Sequence, residues 1–233
     1  LMEPKHDPGL RLHLFCHVLP MRWHLEAAML KAGLALRWLR DNLLPDSNYT
    51  TLVDEAARVE AAADGLFFLP YLAGERTPHM DPTATAAFLG LALRHGRAAL
   101  TRAVMEGVVF GMRQGLDLLG ELGVRPACVL ACGGANRHPL WLRLQADIYG
   151  FPVLPAASPE ATACGAGLLA GLGAGVFASF SAATASIPAP LAPVHPDPAA
   201  VERYALAYDR FKRLYPALKA ATSAAGQPAI GLS

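Results

Sequence analysis

No Cys-x-x-Cys pair occurs in the 233 residues, and the four cysteines, Cys16, Cys128, Cys132 and Cys164, are not spaced like the staples of a small secreted domain. That argues against a disulfide framework. The four read as reduced core thiols in a cytosolic protein, with Cys128 and Cys132 flanking a short strand. Charge of one sign is missing too. Twenty Lys plus Arg against 19 Asp plus Glu leave a net +1, without the basic clustering that nucleic-acid binding requires. Residues 1–8, LMEPKHDP, lack the charged-then-apolar layout of a signal peptide. Met2 follows a leucine, so the chain reads as a piece of something longer. There is no internal repeat, and Asn48-Tyr49-Thr50 fits a glycosylation acceptor only by chance without export.

One stretch has no charge at all. Residues 161–180, ATACGAGLLAGLGAGVFASF, are long enough to cross a bilayer, and Gly167, Gly171 and Gly175 recur at four-residue spacing. Yet its strongly apolar residues are few and no basic flank sets an orientation. A buried, closely packed helix is expected instead, and no membrane association.

What remains is a chain that is 53% hydrophobic and long enough to bury a full core. Helical spacing is expected over Trp23–Leu44, Thr51–Ala63 (Thr51 and Asp54 as capping pair), Arg97–Leu122, Pro139–Tyr149, Ala161–Ala170 or longer, and Val201–Leu218. Short apolar runs at 66–72, 86–93, 127–132 and 151–154 are expected strands, 73–85 a polar loop, and 181–199 a connecting segment. Domain limits are expected at 1–220, with 221–233 a frayed tail. Strands alternate with helices, so the class is α/β. In the helix from Arg97, the glycines Gly107, Gly111 and Gly115 each weaken an isolated helix by up to about 1 kcal/mol relative to Ala, which implies a neighbour at backbone distance.

Two segments could carry chemistry. Residues 129–141, VLACGGANRHPLW, read as strand, glycine pair, then a helix with Pro139 in its first turn. Such a junction exposes backbone N–H groups at the positive end of a helix, suited to an anion or the polar edge of a ligand. The same residues also serve an ordinary tight turn. Residues 74–82, GERTPHMDP, gather Glu75, Arg76, His79 and Asp81. His79 and Asp81 could be a base with its orienting partner, or an ion-paired loop brace.

The runs FLPYLAGERTPHMDP (68–82), FLGLALRHGRAALTRAVMEGVVFGMR (88–113) and CGGANRHPLWLRLQADIYGFPV (132–153) resemble the C-terminal domain of xylulokinases, in the FGGY carbohydrate kinase family. Residues 23–41 and 204–219 resemble the same domain's first and last helices, so the likeness covers nearly the whole chain. It implies an actin/hexokinase-like (ribonuclease H-like) ATPase fold, with ATP and Mg²⁺ as cofactors and a sugar held mainly by an N-terminal domain. A xylulokinase would convert D-xylulose to D-xylulose 5-phosphate in the cytoplasm; relatives often pair, which allows a homodimer. The family's glycine turn near the adenosine falls on Gly133, Gly134, Ala135 and Asn136, with His138 where serine is usual. The family's junction aspartate and phosphate loops have no counterpart here. No catalytic residue and no metal ligand is therefore assigned, Asp81 and Asp147 are taken as structural, and the chain alone is expected to be inactive. A non-catalytic module of the same fold, or a kinase for ribulose, glycerol or gluconate, remain as rival readings.

Overall fold

The computed structural model describes residues 1–223. The expected tail therefore lies mostly outside the described residues. The chain divides into two compact units, one formed by residues 1–125 with the chain from Pro198 onward, the other by Pro126–Asp197.

The first unit begins with a hairpin, β1 (His13–Cys16) paired antiparallel to β2 (Trp23–Glu26). A helix was expected from Trp23. Instead Trp23–Glu26 alternates half-buried and exposed side chains, a period of two. The helix starts only at α1 (Ala32–Leu43), which buries Ala35, Leu36 and Leu39. Next, α2 (Tyr49–Ala56) is capped by Asn48, whose side chain accepts from Thr51 N at 2.8 Å, rather than by Thr51 itself. It ends seven residues before the expected Ala63. β3 (Phe67–Leu69) is buried throughout and pairs antiparallel with β4 (Ala87–Leu89).

The long helix α3 (Arg97–Glu121) packs on β3, and its glycines explain how closely. A Cβ at Gly107 would lie 2.1 Å from Phe68 O, one at Gly111 3.0 Å from Met29 Cε, and one at Gly115 2.6 Å from Ala27 Cβ. The neighbour implied by the stripe is thus in the same unit. Met112, the residue after Gly111, is 40% exposed.

A buried polar knot ties α3 to α7 (Pro198–Ser223). Arg102 donates to Glu106 at 2.7 Å and to Tyr204 Oη at 2.7 Å, while Tyr204 donates to the same Glu106 oxygen at 2.7 Å. Ala62 N adds a third donor to Glu106 at 3.0 Å, so every polar group in the knot has a partner.

The second unit holds a parallel pair, β5 (Val129–Ala131) and β6 (Val153–Pro155), joined by α4 (Pro139–Tyr149). α4 has the expected bounds and stops at Gly150, whose φ of 79° suits glycine. Two expectations fail in this unit. α5 (Ala161–Gly173) has no buried residue, contrary to the packed helix expected, and the connecting segment contains a helix, α6 (Phe180–Ala185), that buries Ala183. Among the described residues no helix is long and apolar enough to cross a membrane. The four cysteines are free and exposed, not core thiols as expected, because the strands at Cys16, Cys128 and Cys132 are short and end beside them.

Candidate functional site

The glycine turn follows β5. Cys132 and Gly133 leave the strand, and Gly134–Arg137 form a single 3₁₀ turn that leads to α4. The four residues expected at the site, Gly133, Gly134, Ala135 and Asn136, are therefore contiguous in one turn. Gly133 has φ +93°, which favours glycine, and its N–H donates to Pro159 O at 3.0 Å. Among the described residues, no heavy atom outside the adjacent positions lies within 4 Å of a Cβ placed on Gly133 or Gly134. The main chain has space for a methyl group at both glycines.

Asn136 holds the turn in shape. Its amide nitrogen donates to Cys132 O, its side-chain oxygen accepts from Gln145 at 2.7 Å, and its backbone N–H donates to Gly133 O at 3.2 Å. Gln145, buried on α4, was not singled out from the sequence, because only the folded helix brings it back to the turn.

The expected cradle of free N–H groups at the start of α4 is absent. Pro139 has no N–H, Leu140 N donates to His138 Nδ1 at 3.1 Å, and Trp141 N donates to His138 O at 3.1 Å. His138 caps the helix with its own ring. The first turn of α4 therefore leaves neither Leu140 N–H nor Trp141 N–H unpaired for an anion.

The GERTPH loop lies in the first unit, where it is braced from all sides. Glu75 and Asp81 exchange backbone bonds at 2.9 and 2.8 Å. Gly74 has φ +72°, and a Cβ there would lie 2.8 Å from Pro82 O. Buried Asp81 accepts from Lys219 at 2.5 Å, Tyr215 at 2.6 Å and Thr83 at 2.7 Å. Burial alone would raise its pKa, but these three donors together hold it well below the usual carboxylate range. His79 bonds Tyr71 Oη at 2.9 Å and lies over the Tyr215 ring at 4.1 Å, and burial lowers its pKa to about 4. An imidazole paired to a tyrosine and packed on another has the surroundings of a brace. Glu75 accepts from Leu30 N at 2.9 Å and Arg76 N at 2.8 Å, while burial raises its pKa. In the second unit Asp147 accepts from Asp197 N at 2.8 Å, again a structural bond.

The model of the FGGY family of carbohydrate kinases, C-terminal domain, matches residues 2–174. The chain belongs to this family. An FGGY relative, the xylulose kinase of Escherichia coli, is 42% identical over 143 residues, 61% of this chain and 29% of that protein. The xylulose kinase of Klebsiella pneumoniae is 35% identical over 91% of this chain and 44% of its own length. Among solved structures, a xyloylose kinase from Brucella ovis superposes with TM-score 0.84 at 33% identity, covering 94% of this chain and 45% of that one. The FGGY C-terminal fold, α/β of the actin/hexokinase type, is thereby established. The chain spans less than half the length of these relatives.

Proposed function

We propose that this chain is the nucleotide-side domain of an ATP-dependent sugar kinase whose substrate is D-xylulose. The observation that carries the reading is the bare turn: open space beside both Gly133 and Gly134, held by Asn136, where the face of an adenosine could lie against main chain. The main chain through Ala135 and Asn136 completes that contact surface. Phosphate binding is not assigned to α4, whose first amides are already paired. The Mg²⁺ that would neutralise the transferring phosphoryl group is held mainly by the nucleotide phosphates with one or two carboxylates, and no residue of this chain is assigned to it. The sugar contacts and the base that activates its hydroxyl belong to the rest of the protein. The cytoplasm is the proposed compartment, in keeping with four exposed free thiols.

Steric blockade of the turn tests this in the longer protein. Gly134→Val should raise the KM for ATP at least about tenfold, a loss of about 1.4 kcal/mol of binding, with the KM for D-xylulose unchanged. An unchanged KM for ATP would remove the turn from the nucleotide site. Coupled ADP release with D-xylulose, L-ribulose and glycerol in parallel decides the substrate; a relative from Thermus brockianus, 37% identical over 167 residues, is a glycerol kinase. Xylulose-dependent ADP release by the 233-residue chain alone would refute the assignment of its chemistry to the missing part.

A further inference from the structure

Two charged side chains at the glycine turn take no part in holding it. Arg137 is the last residue of the 3₁₀ turn, and Glu160 follows Pro159, whose carbonyl accepts from Gly133 N at 3.0 Å. That bond fixes the start of α5 against the turn, and the Glu160 carboxylate reaches back to within 3.6 Å of the Arg137 guanidinium. The separation exceeds hydrogen-bond length, and both side chains are 70% exposed. Glu160 is the N-cap of α5, yet its side chain caps nothing. An ion pair of this kind adds little to stability. Asn136 and Gln145, by contrast, already supply the bonds that shape the turn.

The chemistry of the pair narrows what it meets. An ionised carboxylate only accepts hydrogen bonds, so it selects a ligand edge made of donors. It repels phosphate, and the neighbouring amides of Leu140 and Trp141 are already paired, so this end of the turn suits the sugar of a nucleotide rather than its phosphates. The donor edge of a nucleoside is its vicinal diol. Two adjacent hydroxyls match the two oxygens of one carboxylate, the same chemistry by which an acidic residue holds ribose in dinucleotide sites. Arg137 balances the carboxylate's charge once a ligand covers it.

We propose that Glu160 is the ribose-binding residue of this turn, its carboxylate accepting hydrogen bonds from the 2′- and 3′-hydroxyls of the nucleotide beside Arg137. The inference rests on the nucleotide reading of Gly133–Asn136. It adds a preference for ribonucleotides over nucleotides that lack both hydroxyls.

Calorimetric titration of the 233-residue chain with ATP and with 2′,3′-dideoxy-ATP tests it. ATP should bind at least about tenfold more tightly, as expected for hydrogen bonds to a charged group. Glu160→Ala should abolish the preference, weakening ATP about tenfold and leaving dideoxy-ATP within about twofold. The variant should fold normally, because the Glu160 side chain is exposed and caps nothing. A preference that survives in Glu160→Ala, or an equal loss for both nucleotides, overturns the inference. Gly134→Val separates this failure from failure of the underlying reading. Should it weaken both nucleotides while Glu160→Ala changes neither, the turn binds nucleotide and only the role of Glu160 is lost. Should Gly134→Val leave both affinities as they were, or should the wild-type chain bind neither nucleotide, the turn is not the nucleotide site and both fall.

Discussion

Two glycine-bearing helices in this chain have opposite surroundings. In α3 a Cβ at 107 or 115 would overlap the backbone of β3 or Ala27, and one at 111 would press on the flexible end of Met29 at 3.0 Å. In α5, among the described residues, a Cβ at Gly165 or Gly167 meets no atom outside its own helix turn within 4 Å, and no residue of the helix is buried. Spacing alone makes the two stripes look alike. Only the α3 stripe is met at all three of its positions, once by the backbone of β3; on the α5 stripe a Cβ at Gly171 would meet the Phe177 ring at 2.7 Å, a neighbour only six residues further along the chain. A glycine stripe states that close approach is allowed, and the partner determines whether it occurs.

Gly107→Ala attacks that difference most directly. A Cβ 2.1 Å from Phe68 O meets a buried backbone that cannot shift without disturbing β3, so the helix-propensity gain of alanine is overwhelmed. A loss of about 3 kcal/mol is expected, measured by denaturant unfolding. Wild-type stability in Gly107→Ala would mean that α3 and β3 are further apart than described.

The charged groups divide in the same way. Asp81→Ala leaves Tyr215 and Thr83 without their buried acceptor and should cost about 2 kcal/mol. In the second unit, Arg137 and Glu160 are both 70% exposed at 3.6 Å, and Glu160→Gln should change stability by less than about 0.5 kcal/mol. Equal effects in the two variants would remove the contrast.

Acid should act through the first unit. Folded His79 binds a proton only near pH 4, whereas its ordinary pKa is 6.5, so the unfolded chain takes up that proton first as pH falls. Stability should therefore decline between pH 6.5 and 4, with a slope of at most about 1.4 kcal/mol per pH unit. Asp81, whose folded pKa is depressed, adds its own loss only below its ordinary 3.8, while Glu75, whose folded pKa is raised, works the other way and favours the folded state in acid. Lys219, facing the pair, disfavours the imidazolium and Asp81 favours it. His79→Gln should flatten the slope in the upper part of the window; an unchanged profile would place the titrating group elsewhere.

Periodicity sustained over many residues was readable, and local competition was not. α3 and α4 emerge within a residue of their expected bounds because their spacing is long and their stops are clear. Trp23–Glu26 was lost to a helix because Leu25, Ala28 and Met29 also fit a 3.6-residue period, and four residues of alternation cannot outweigh twenty of helix. The candidate turn was legible as strand, glycines and proline. Its donors were not, since His138 spends its ring on Leu140 N, a choice made by side-chain rotamer rather than residue type. The burial of α5 failed as an expectation for a related reason: composition names a helix fit to be buried, but not what covers it.

The smallest expected effect lies in α5. With no described atom outside their own helix turn within 4 Å of a Cβ at Gly165 or Gly167, alanine at either position adds helix propensity and removes unfolded-state freedom without a clash. Each substitution should stabilise the 233-residue chain by about 0.5–1 kcal/mol in thermal unfolding. In the longer protein the same substitutions discriminate further. If stabilisation persists there, Gly165 and Gly167 remain uncovered; if it turns into a loss, another part of that protein approaches α5 at backbone distance, as β3 does α3.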